Sequence, residues 1–277
     1  MLILTHMPYL YTIYDRSLPS DYLYPLVAHF PTSRSIIFYD QLGCGRSARP
    51  EDKKMYSIEN AVQDLEELIR YLKLDKFHLL GHSFGGIVAY EASKINDKCL
   101  SLTLDSTPSN MKLSLDEVSR LENEVKSEII LESSDSDCSD SESDSLASKQ
   151  EMKKLVQDRL RRRNECRTDT MPESLAMAIE SRGTTFEADD CADYVACPPS
   201  SHSLPPTLLI RGEHDFVTEK CIEGWRDIFL NWKTTSSSSN RVSYREEEMS
   251  NCAHYCHLED AKGFAELIKG HCFINDY

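Results

Sequence analysis

Gly81-His82-Ser83-Phe84-Gly85-Gly86 stands directly after an apolar run over 77–80 and directly before a helical pattern over 84–95. The spacing is G-x-S-x-G. A strand that ends in this turn and re-enters as a helix lifts the serine hydroxyl above the strand end. The bend is sharp, and glycines on either side avoid clashes at it. The following helix N-terminus and the Phe84 N–H favour negative charge developing at that point. Ser83 is therefore the candidate nucleophile, and Phe84 N–H a candidate oxyanion donor.

Outward from this turn, the chain alternates between two periods. Continuous apolar runs over 35–40, 77–80, 100–105 and 206–211 read as buried strands. The alternating stretch 241–245 reads as a last strand, and the apolar run 1–5 as a first one. Between them, 21–30, 57–74, 84–95, 218–232 and 258–268 read as helices, with Ser57 as an N-cap. Strands alternating with helices predict a mostly parallel sheet covered on both faces. The expected body covers 1–108 and 204–277. The segment 109–203 lacks strand signals, carries helical stretches at 115–131 and 150–163, and reads as a helical lid. Its Ser/Asp/Glu tract 133–145 has no apolar area to offset ordering entropy and is expected to be disordered.

Net charge is −15, which argues against a nucleic-acid-binding face. No apolar run approaches the ~18 residues of a membrane span. Ten cysteines are present, but the run before Thr5 is too short for a secretory signal, so a cytoplasmic chain with reduced thiols is expected. Cys252, Cys256, His254 and His257 cluster in sequence. No second cysteine pair stands at zinc-finger spacing, so no metal and no cofactor is expected.

A nucleophilic serine needs a base, and the base an orienting acid, in the chain order Ser, acid, His. Asp215 lies just beyond the strand at 207–210, and His254 beyond the last strand. Asp105 and Glu213 are rival acids, and His257 a rival base. His82 adjoins Ser83 and cannot fold back as the base, so it reads as support for the turn.

The segments Phe38-Tyr-Asp-Gln-Leu-Gly-Cys-Gly-Arg-Ser47, His78-Leu-Leu-Gly-His-Ser-Phe-Gly-Gly86 and His254-Tyr-Cys-His-Leu-Glu259 resemble the proline iminopeptidase family, of the α/β-hydrolase fold. Arg161-Arg-Arg-Asn-Glu-Cys-Arg167 resembles a lid helix of that family whose Cys and Arg lie near the active site, which implies substrate-binding roles for Cys166 and Arg167. The resemblance implies a serine aminopeptidase that releases an N-terminal residue through an acyl-enzyme, acting on small peptides or amino-acid amides. The runner-up is an amino-acid amidase or small-ester hydrolase. Readings of another class are a non-catalytic relative that acts by binding, and a scaffold whose acidic tract is phosphorylated.

Three departures from the family matter. Its His-Gly-Gly-Pro-Gly loop is replaced by His6-Met7-Pro8-Tyr9-Leu10, leaving Met7 N–H as the second oxyanion donor, because Pro8 has no N–H. The chain begins at the family's third strand, so the first two strands are expected to be missing and the sheet edge open, as in a truncated, mis-spliced or divergent member. Phe216 stands where the family has a Glu for the substrate's amino group, and Glu187, Asp189 or Asp190 is expected to substitute.

Overall fold

The computed structural model describes residues 9–13, 18–134, 146–182, 192–200, 204–231 and 243–276. Six strands form one parallel sheet: β1 (Tyr9–Ile13), β2 (Ile36–Phe38), β3 (Phe77–His82), β4 (Cys99–Asp105), β5 (Thr207–Gly212) and β6 (Tyr244–Met249), in the order β2-β1-β3-β4-β5-β6. The register pairs Ile13 with Gly81, His82 with Asp105, Asp105 with Ile210, and Gly212 with Met249. All strands run the same way, so the turns after β3, β4, β5 and β6 leave from one edge.

Alternation along the strands divides the core between two faces. Phe77 and Leu79 of β3, Leu102 and Leu104 of β4 and Leu209 of β5 face a cluster with α1 (Ile58–Tyr71), α2 (Phe84–Ser93) and α6 (Glu219–Asn231). Leu80, Leu208 and Ile210 face the other way, with Leu18, Tyr22, Leu23, Phe264 and Ile268. Each such buried side chain stabilises the fold by about 1.5–3 kcal/mol. Ser57 caps α1, its side chain accepting from Asn60 N–H, as the sequence predicted.

Three helices lie between β4 and β5: α3 (Met111–Ser134), α4 (Leu146–Leu160) and α5 (Glu173–Glu180). Leu121, Val125 and Ile129 of α3 pack on Val156 and Leu160 of α4. Arg159 pairs with Glu132, and Arg163 with Glu124 and Glu128. A π-helical turn, Arg161–Glu165, ends α4. Ser133 and Ser134 belong to α3, and the rest of the acidic tract lies outside the described residues, as do 1–8.

Four readings are corrected. The first described strand is Tyr9–Ile13, where a loop was expected. The stretch at 21–30 is a 3-10 segment, Ser20–His29, because Pro25 inside it lacks the N–H of an α-helical ladder. The last strand is Tyr244–Met249 rather than 241–245. Its Arg-Glu-Glu-Glu run suits an outermost strand and hides the apolar alternation. The closing helix is two, α7 (Cys256–Glu259) and α8 (Ala261–Ile274), because Asp260 accepts from Gly263 N–H and starts a new helix.

Candidate active site

Ser83 joins β3 to α2 with φ 54° and ψ −124°, a conformation costly for a side-chain-bearing residue. The surroundings enforce it. Ser83 N–H donates to the Asp105 carbonyl at 2.8 Å, and Gly86 N–H to the Ser83 carbonyl at 3.0 Å. A Cβ on Gly81 would overlap the Gly85 carbonyl, and one on Gly86 would overlap Thr107. Phe84 is the first residue of α2, so its N–H lies at that helix's N-terminus.

Asp215 and His254 meet across 39 residues of sequence. Nδ1 of His254 lies 2.9 Å from Oδ1 of Asp215, and both side chains are buried. The same Oδ1 accepts from Val217 N–H at 2.8 Å. The two loops that carry them are tied, with His214 N–H donating to the Cys252 carbonyl at 2.9 Å. Gly212 permits that approach, since a Cβ there would strike the Cys252 and Ala253 carbonyls.

The rival acids take other partners. Asp105 faces His257, Oδ2 to Nδ1 at 3.2 Å, with both side chains fully buried. Burial pushes Asp105 up to about 7 and His257 down to about 3. Glu213 accepts from Asn251 N–H at 2.9 Å. His82 reaches further than a turn support. Its Nε2 lies 2.9 Å from the His254 carbonyl and its Nδ1 2.9 Å from the Tyr22 hydroxyl. A carbonyl only accepts, so Nε2 carries the proton and Nδ1 accepts from Tyr22. Burial holds the ring well below its ordinary pKa, in keeping with this neutral tautomer.

His82, Asp105 and His257 place ligand-type atoms within 4.8 Å of one another. Both ring nitrogens of His82 are engaged, so an ion there would have to displace Tyr22 or the His254 carbonyl. The sequence cluster of Cys252, His254, Cys256 and His257 does not converge on one point. His254 turns to Asp215, His257 to Asp105, and the Cys256 thiol to the Ala253 carbonyl at 3.1 Å.

Phe216 stacks on the His254 ring, centroids 4.0 Å apart and planes 28° apart. Cys166 is buried, its thiol 3.3 Å from the Thr168 hydroxyl and pushed up by burial. Arg167 is exposed and donates to the Arg163 carbonyl. Glu187, Asp189 and Asp190 lie outside the described residues, as does Met7. Strand β1 runs parallel to β3, with Tyr9 opposite Phe77 and Ile13 opposite Gly81.

Sequence reasoning missed the supports. Asn164 donates to the His214 carbonyl at 2.8 Å, and Tyr255 N–H to the Glu165 carbonyl at 3.1 Å, so the π-turn ties α4 to both loops. Glu259 accepts from Ala253 N–H at 2.9 Å, beside His254. An acid five residues after a candidate base was visible in sequence; the Tyr22 and Asn164 contacts had no local signal.

A family model described as alpha/beta hydrolase fold matches residues 19–261. Curated proline iminopeptidases match in part. That of Lacticaseibacillus rhamnosus is 39% identical over 92 residues, 32% of this chain and 32% of its own length. That of Saccharolobus solfataricus is 38% identical over 107 residues, 38% and 34%. The chain thus matches about one third of these relatives' length. Among solved structures, the proline iminopeptidase of Mycobacterium smegmatis superposes with a TM-score of 0.74 at 19% identity, covering 97% of this chain and 90% of that one. An enol-lactonase of Burkholderia xenovorans gives 0.63 at 18%, covering 97% and 92%. These likenesses carry the fold, and the family model spans most of the chain. The sheet order, the strained serine after β3 and the matched residues 19–261 agree: the chain belongs to the alpha/beta hydrolase fold family.

Proposed function

We propose that the protein is a serine hydrolase that releases an N-terminal residue, of proline type, from small peptides or amino-acid amides. The observation that carries this reading is the buried Asp215–His254 pair at 2.9 Å, on the sheet edge where Ser83 sits at φ 54°. Asp215 engages Nδ1, which leaves Nε2 as the atom that takes the Ser83 proton. Ser83 Oγ then attacks the acyl carbon, the Phe84 N–H stabilises the oxyanion, and His254 returns the proton to the departing amine. Water repeats the sequence to free the acid. Helices α3 to α5 act as the lid. The partial likeness to curated proline iminopeptidases supports the substrate class.

One observation favours a second reading. Phe216 lays an apolar ring against the imidazole where an aminopeptidase of the resembled family holds a carboxylate. That wall suits an amidase or small-ester hydrolase for blocked acyl groups. Turnover of prolyl-aminoacyl substrates against N-blocked esters separates the two. Faster turnover of the free prolyl substrates upholds the aminopeptidase, and preference for blocked esters overturns it.

A further inference from the structure

Glu117 of α3 is only 6% exposed, and its carboxylate reaches the segment that carries Asp215. Oε2 accepts from the Thr218 hydroxyl at 3.2 Å, and Oε1 from Lys220 Nζ at 3.1 Å. Arg120, one turn along α3, adds a third donor, Nε to Oε2 at 3.2 Å. A buried carboxylate is costly unless donors of this kind surround it. Burial acts to raise the pKa of Glu117. The bonds from Arg120, Lys220 and Thr218 outweigh burial and hold the group below its ordinary value, so it is charged at neutral pH.

Thr218 leads back to the site in two steps. The N–H of its neighbour Val217 donates to Asp215 Oδ1 at 2.8 Å, and the same oxygen faces His254 Nδ1 at 2.9 Å. Between Asp215 and Val217, Phe216 stacks on the imidazole and packs against the cluster of Leu121, Val125 and Ile129 from α3 with Val156 and Leu160 from α4. The inserted helices thus grip the 215–218 turn twice, by a charge at Thr218 and by apolar contact at Phe216.

We propose that Glu117 is a positioning residue for the reaction: through Thr218 it holds the 215–218 turn so that Asp215 meets His254 at hydrogen-bonding distance. The proposal rests on the serine-hydrolase reading and deepens it, because it makes the docking of α3 on the body a condition for activating Ser83. A role in helix stability alone is served by Arg120, three residues along the same helix. The Thr218 bond adds nothing within α3. Its effect falls on the turn that carries the candidate acid.

The test uses the full chain as wild type, Glu117→Ala, Glu117→Gln, Thr218→Val and the double variant Glu117→Ala with Thr218→Val. Each is inactivated by a fluorophosphonate over a range of concentrations, which separates the maximal rate of labelling at Ser83 from the half-saturating concentration. Circular dichroism reports folding. Glu117→Ala and Thr218→Val are each expected to lower the maximal rate about tenfold and to leave the half-saturating concentration unchanged. Glu117→Gln keeps an oxygen for the Thr218 hydroxyl and is expected to stay within about threefold of wild type. The double variant is expected to fall no further than either single one, because both cut the same bond. Thr218→Val leaves the Arg120 pair in place, so it decides the matter if Glu117→Ala does not fold. An unchanged maximal rate in folded Thr218→Val, additive losses in the double variant, or a rise in the half-saturating concentration alone overturns the proposal. Failure of the hydrolase reading shows differently: wild type itself takes no label, and the positioning role falls with it.

Discussion

The imidazole of His82 donates from Nε2 to the backbone carbonyl of His254 at 2.9 Å, so the residue beside the candidate nucleophile holds the loop of the candidate base. Tyr22 fixes the donor by supplying a proton to Nδ1 of the same ring at 2.9 Å. Tyr22→Phe removes that donor and frees His82 to take the other tautomer, in which Nε2 no longer donates. Loss of the bond costs about 1 kcal/mol of stability. A fall in kcat without a matching rise in KM is expected, together with a lower Tm. An unchanged kcat would show that the base loop holds its place without this relay.

Asp215 and Asp105 are both buried carboxylates facing a histidine, yet only Asp215 faces His254. Asp215→Asn keeps the shape and favours the wrong imidazole tautomer. A fall in kcat of about 10⁴-fold is expected, by analogy with the same change in a serine protease triad. Asp105→Asn is expected to keep kcat within about tenfold of wild type at pH 8. Steady-state kinetics of the two variants decide which carboxylate serves the base.

The pH dependence of stability separates the Asp105–His257 pair from the rest. Asp105 is raised from 3.8 to about 7 by burial. Between those values the folded state keeps a proton that the unfolded state loses, so stability falls as pH rises through that window. His257 is lowered from 6.5 to about 3 by burial, and its contribution has the opposite sign: stability falls as pH drops below 6.5. In wild type the two slopes offset each other between about pH 4 and 6.5. Asp105→Asn removes one of them. The variant is expected to lose stability on going from pH 6.5 to 4.5 more steeply than wild type, by up to about 1.4 kcal/mol per pH unit. Urea unfolding at the two pH values checks this. Parallel losses in both proteins would contradict it.

The sequence made the serine turn, the parallel sheet and the order of the candidate triad legible, because each is written in a short local pattern. Glycines bracket Ser83 since a Cβ at Gly81 or Gly86 has nowhere to go. Asp215 and His254 stand just past strands, where a parallel sheet gathers its turns. Other features had no local mark. The Asp105–His257 contact joins residues 152 apart, and that of Tyr22 with His82 residues 60 apart. Strand β6 is written mostly in charges, because it lies at the edge of the described sheet and its neighbour Arg226 takes up Glu246. The run at 1–5 lies outside the described residues, while Tyr9–Ile13, expected as loop, is a strand whose aromatic and β-branched residues suit extended backbone.

Phe216 offers a direct test of substrate choice. It stacks on His254, at the position where the resembled family carries a Glu. Phe216→Glu is expected to raise the ratio of kcat/KM for free-amine over N-blocked substrates about tenfold or more, the worth of one charge-assisted hydrogen bond. Phe216→Leu, apolar but unable to stack, serves as the comparison and is expected to leave the ratio unchanged. Equal ratios in both variants would place the substrate's amino group elsewhere.

The central claim is that the hydroxyl of Ser83 is activated by the His254–Asp215 pair. Mass spectrometry of the folded protein after fluorophosphonate treatment tests it most directly. One covalent adduct on the peptide containing Ser83, absent from Ser83→Ala and strongly reduced in His254→Ala, is the predicted result. A folded wild-type protein that takes no adduct there would contradict the account.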